Sequence, residues 1–128
     1  MDNEKWTLVA NEEQFDQLLD LALEFHDAVS GAARWMGGEY LTPAGDLVLD
    51  GFGNLIVFTI SQFPRVPDLE LRFTKVQAFR YDYGSESTPV VRFATGIVHV
   101  TLLEWKIEAE SFSYRALSSR ALGMPDLS

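Results

Sequence analysis

The sequence predicts an α+β domain in which an N-terminal helix packs on a curved, mainly antiparallel sheet of about six to eight strands. Three observations predict it. Apolar residues recur at helical spacing in one stretch only, close to the N-terminus. From Ala28 onward the chain divides into short segments rich in Val, Ile, Phe, Thr and Trp, punctuated by Gly and Pro, the usual marks of strands and turns. No later stretch has a long helical period, so the crossover helices that parallel strands need are missing and the strands must pair antiparallel.

Asn11, three residues before Gln14, is a capping-box variant and starts the helix. Phe15, Leu18, Leu19, Ala22 and Phe25 follow at helical spacing, which predicts a helix over 12–26. Advancing about 100° per residue gathers these residues with Leu21 and Leu23 on one broad apolar face, with His26 in the middle of it. Strands are expected at 29–36, then at 39–41 and 46–50 across Thr42-Pro43-Ala44-Gly45, and at 54–61 after Asp50-Gly51-Phe52-Gly53. Further strands are expected at 69–81, 90–94, 97–104 and 106–116. Leu69, Leu71 and Phe73 alternate with Glu70, Arg72 and Thr74, as in a sheet with one dry and one wet face. Phe63-Pro64-Arg65-Val66-Pro67 breaks any strand, Tyr83 to Pro89 reads as a polar loop, and the tail after about 117 is expected to fray.

A length of 128 residues with 47% hydrophobic and 12% aromatic content is enough for one core, so a single domain is expected over 1–128, alone or as a small homo-oligomer. The chain has no Cys, which removes disulfide frameworks, thiolate metal sites, iron–sulfur clusters and Cys nucleophiles. Its first residues are acidic where a signal peptide would be basic, and its longest apolar run, Leu55 to Phe58, is far too short to span a membrane. A cytoplasmic location is the expectation. The net charge of −9 repels phosphate backbones and anionic membranes, so neither a nucleic acid nor a membrane is expected as partner. Most of that charge lies in residues 1–27, which hold eight carboxylates and one Lys.

Only His26 and His99 could act as neutral-pH bases or imidazole ligands. His26 on the apolar face is expected to be a buried, structural histidine, with a pocket between helix and sheet as the alternative. Asp27, about 100° from His26 around a helix, would not chelate with it. His99 sits in the alternating strand Ile97-Val98-His99-Val100-Thr101-Leu102, whose phase does not tell which face is buried. No spacing requires a metal site built from both His and a carboxylate such as Asp27 or Glu39, so no metal and no cofactor are expected. Gly37-Gly38 and Gly51-Phe52-Gly53-Asn54 precede no helix and no Gly-Lys-Ser/Thr, so they read as turns and not as a phosphate loop. Ser30, Ser61, Ser85, Ser87 and Ser111 lie in no nucleophile elbow. Glu104, Glu108 and Glu110 could form a glycosidase carboxylate pair, but Glu108 and Glu110, which share one face, read first as the solvated face of an edge strand.

The most informative pattern is acidic. Glu13, Asp16, Asp20, Glu24 and Asp27 are spaced by 3, 4, 4 and 3 residues with no cation between them, a strip roughly 80° wide if the helix runs through them. Toward the helix C-terminus such charges oppose the dipole, so the strip is a candidate surface for a basic partner.

At Phe25-His26-Asp27-Ala28 the chain begins to resemble a group of small uncharacterised bacterial proteins. The resemblance continues through Gln62-Phe63-Pro64 and Glu70-Leu71-Arg72-Phe73 to the aromatic-Arg pair Tyr114-Arg115, over roughly residues 15–116. It implies a helix-plus-sheet fold and no activity. In size, acidity and lack of a catalytic motif the chain is also similar in type to bacterial toxin-immunity proteins. The expected function is non-catalytic protein binding, of the kind that neutralises a basic partner. The alternative is a small-molecule-binding domain or weak hydrolase with its pocket near His26.

Overall fold

A computed structural model describes residues 5–37, 39–41, 43–49, 53–63, 65–84 and 88–117. The tail expected to fray, from 118 on, lies outside them, as do parts of the turns at 42, 50–52, 64 and 85–87. In chain order the elements are β1 (Thr7–Leu8), α1 (Glu12–Leu21), β2 (Ala28–Met36), β3 (Glu39–Leu41), β4 (Leu47–Leu49), β5 (Asn54–Ser61), β6 (Leu69–Tyr81), β7 (Val90–Ala94), β8 (Ile97–Leu102) and β9 (Trp105–Ala116). Seven strands form one open antiparallel sheet in the order β2-β5-β6-β9-β8-β7, with β1 also pairing on β9, and β3 and β4 form a separate two-stranded ladder.

Asn11 caps α1 as its sequence predicts: its side-chain oxygen accepts from the Gln14 amide at 2.8 Å. Gln14 in turn accepts from the Ala10 amide at 2.6 Å, one residue before the position a strict capping box uses. Phe15, Leu18, Ala22 and Phe25 share one buried cluster with Leu55 and Val57 of β5, Leu69, Leu71 and Phe73 of β6, and Ile107, Ala109 and Phe112 of β9. At its centre Phe73 and Phe112, a cross-strand pair, stack with ring centroids 4.6 Å apart.

The helix is shorter than its apolar spacing predicts. It ends at Leu21, and a single 3₁₀ turn, Leu23–Phe25, follows in which φ is positive at every residue: 50°, 56° and 58°. This left-handed turn swings Phe25 into the core and leaves Leu23 outside, so wheel positions beyond Ala22 do not hold. No Gly, Pro or Asn marks the break.

β9 is not an edge strand. It is flanked by β6 on one side and by β8, then β1, on the other, and Glu108 and Glu110, expected on an edge strand, are exposed on an interior one. Lys75, at φ 51°, and the facing Glu110 leave the β6–β9 ladder together. The buried positions then change phase in both strands at once, from Phe73 to Val76 and from Phe112 to Ala109, and one face stays apolar. Bulges at Ser30/Ala32 and Val76/Ala78 add local twist. The indole of Trp105 on β9 donates to Ser30 Oγ on β2 at 3.2 Å, although three strand spacings, about 14 Å, would separate those strands in a flat sheet.

Candidate binding surface

The structure distributes the five carboxylates differently from the helical wheel. Glu13, Asp16 and Asp20 are exposed on α1 with no ion-pair partner among the described residues, and Asp20 faces the negative end of the helix dipole. Glu24 and Asp27 are off the helix: Glu24 lies in the left-handed turn and Asp27, at φ 57°, in the bend before β2. Both remain exposed and line a groove beyond the helix C-terminus.

His26 is not buried. Its side chain is 75% exposed, its backbone is extended at φ −66°, and its ring stacks on Phe63 with centroids 6.0 Å apart. Burial failed because the chain left the helix three residues earlier. The same departure brings Asp27 Oδ2 to 3.7 Å from His26 Nε2, a proximity that helical geometry would have forbidden. Among the described residues no group of three His or carboxylate side chains is gathered as a metal would require.

His99 lies elsewhere. Val98, Val100 and Leu102 turn to the core, so His99 is on the wet face, where its Nδ1 is 3.7 Å from Glu108 Oε2. Glu110 pairs with Lys75 at 3.9 Å. Glu104 lies in the turn between β8 and β9, away from both, so the three Glu residues form no shared site.

The groove near His26 has a volume of about 610 Å³ and is bounded by Glu24, Asp27, Ser30, Gln62 and Glu104. Glu104 is held in place: its Oε1 accepts from the Tyr81 hydroxyl at 2.8 Å and its Oε2 from the Gly84 amide at 2.5 Å. The Tyr81 phenol is raised above its ordinary 10.0, mainly because it donates to Glu104, with desolvation and the carboxylate's negative charge adding to the effect. Ser30, which lines the groove, is held by the hydrogen bond it accepts from the Trp105 indole.

Beside the groove is a feature that sequence reasoning missed. Trp35 on β2, Phe79 and Tyr81 on β6, and Trp105 on β9 form a chain of tilted ring contacts, with centroids 5.2, 6.1 and 5.0 Å apart. Trp105 is nearly covered, whereas Trp35, Phe79 and Tyr81 are 45%, 43% and 43% exposed. Trp35, the Phe79–Tyr81 pair and Trp105 are distant in sequence, and only strand register and the approach of β2 to β9 bring them together. The alternation of Phe79 and Tyr81 within β6 was the one local signal available.

The face of the sheet away from the helix carries most of its cations, together with Glu70 and Glu108. Strand register places Arg34, Arg72, Arg80, Arg92, Lys106 and Arg115 on the face away from the helix. There Trp6 lies between the Arg72 and Arg115 guanidinium groups, 4.2 and 4.6 Å from its ring centre, and Arg115 pairs with Glu70 at 2.6 Å. The carboxylates of α1 and of the groove occupy the other side. No helix among the described residues is long and apolar enough to cross a membrane.

Compared with known proteins, the chain matches no family model, no curated protein and no solved structure. Its functional reading comes from this surface.

Proposed function

We propose that this is a non-catalytic protein-binding domain, a helix seated on a curved sheet, that engages a basic protein partner through its helix-bearing side and neutralises it in the manner of an immunity protein. One observation carries the reading. Exposed carboxylates at Glu13, Asp16 and Asp20 have no ion-pair partner among the described residues, and they continue past the helix end into Glu24 and Asp27. Asp20 against the dipole costs stability, about 0.3–1 kcal/mol, that a bound cation would recover.

The experiment is charge reversal on the helix, Asp16→Lys with Asp20→Lys. The fold should hold or gain slightly in stability, because repulsion falls and the last turn then suits the dipole. Capture of basic partners should weaken through slower association, and the wild-type on-rate should drop steeply with salt. Undiminished capture of every native partner by the double variant would end the proposal.

The groove of about 610 Å³ at His26 favours a second reading, binding of a small polar molecule or weak hydrolysis there. A ligand whose thermal stabilisation of the protein is abolished by His26→Ala would select it.

A further inference from the structure

The geometry points to the exposed rings of Trp35, Phe79 and Tyr81, together with the adjoining acidic groove, as the docking surface for an arginine-bearing segment of a basic protein. The inference rests on the proposal of a basic partner and adds where that partner is held and by which side chain. Helix charges can steer an approaching protein, but they are solvated, and exposed ion pairs contribute little once formed. A stable complex needs a site where a cation is partly desolvated against something that favours it.

The ring surface has that character. Three aromatic rings stand open on the side of the sheet that carries the acidic helix, supported from beneath by Trp105, whose indole is fixed to Ser30. The rings are continuous with the groove at two points: Tyr81 donates to Glu104, a groove carboxylate, and Trp105 bonds Ser30, a groove residue. A guanidinium over Tyr81 or Phe79 would meet a ring face and, at the groove edge, the carboxylates of Glu104, Asp27 and Glu24. Arg suits such a site better than Lys, because it is planar, stacks on rings and is less strongly hydrated. Six of the chain's ten Lys and Arg residues, Arg34, Arg72, Arg80, Arg92, Lys106 and Arg115, lie on the opposite face of the sheet, so charge complementarity favours a cationic occupant on this one. Aromatic and Arg side chains are also those that dominate binding at protein interfaces.

The test uses nona-arginine and nona-lysine peptides, of equal charge, titrated into the intact protein at about 0.15 M salt, where long-range attraction is screened beyond about 8 Å. Nona-arginine should bind more tightly. Phe79→Ala and Tyr81→Ala should each reduce its affinity about two- to fivefold and leave that of nona-lysine unchanged. Phe79→Leu keeps the apolar bulk and removes the ring, so it decides the matter if the alanine variants lose their fold. Equal affinity for both peptides, with Phe79→Leu indistinguishable from wild type, overturns the docking surface. If Asp16→Lys with Asp20→Lys then still weakens both peptides, the basic-partner proposal survives without it. If neither peptide binds, both fail.

Discussion

Replacing Glu24 by glycine should stabilise the protein, although it deletes a side chain and adds none. Glu24 stands at φ 56°, ψ 25°, in the left-handed region, between two residues that are also left-handed. An L-residue there clashes through its Cβ with the neighbouring carbonyl, at about 1–2 kcal/mol. Glycine removes the clash but enlarges the unfolded ensemble, which gives back about 0.5–1 kcal/mol. The exposed side chain makes no hydrogen bond or ion pair among the described residues, so nothing else is lost. Taken end for end, the two ranges leave a net gain of about 0.5–1 kcal/mol. With an unfolding entropy of about 2.1 cal/mol/K per residue, 128 residues convert that gain into a rise in Tm of about 2–4 °C. Glu24→Ala is the control, because it removes the same charge and keeps the Cβ. Urea and thermal unfolding of the three proteins, followed by circular dichroism, should rank Gly above both Ala and wild type. An alanine variant as stable as the glycine variant would show that charge repulsion, and not backbone strain, resides at this turn.

Two further outcomes follow from single contacts. A methyl group at Gly53 would overlap the Met36 carbonyl oxygen, a backbone atom that cannot turn aside, so Gly53→Ala should cost about 1–3 kcal/mol in urea unfolding; a cost below about 0.5 kcal/mol would mean that β2 and the start of β5 separate easily. Tyr81, raised above 10.0 by its bond to Glu104, holds its proton more tightly in the folded than in the unfolded chain. Its stabilising effect is therefore complete below about pH 10 and is lost as pH rises through the higher folded value. Tyrosinate absorbance should show one late-titrating group that moves down toward 10.0 in Glu104→Gln, and an unmoved titration would separate Tyr81 from Glu104.

The sequence alone determined where most strands run. Segments rich in β-branched and aromatic residues between Gly and Pro turns, at 54–61, 69–81 and 90–94, reproduce the bounds of β5, β6 and β7, because both strand preference and turn chemistry are local. The capped start of α1 was legible for the same reason, since Asn11 and Gln14 bond within one turn. Composition also placed the acidity in the first 27 residues. The end of the helix was not legible: apolar spacing continues through Phe25, and the pull of the core on that ring is met by three left-handed residues that no local propensity favours. With that turn His26 is exposed where its apolar-face position predicted burial, and Asp27, expected about 100° away around a helix, lies within 3.7 Å of the imidazole. The aromatic surface and its groove were decided by tertiary structure alone. Trp35, Phe79, Tyr81 and Trp105 meet because strands far apart in the chain pair in a given register and because the sheet brings β2 to β9, distances set by the packing of the whole core and written in no segment of it.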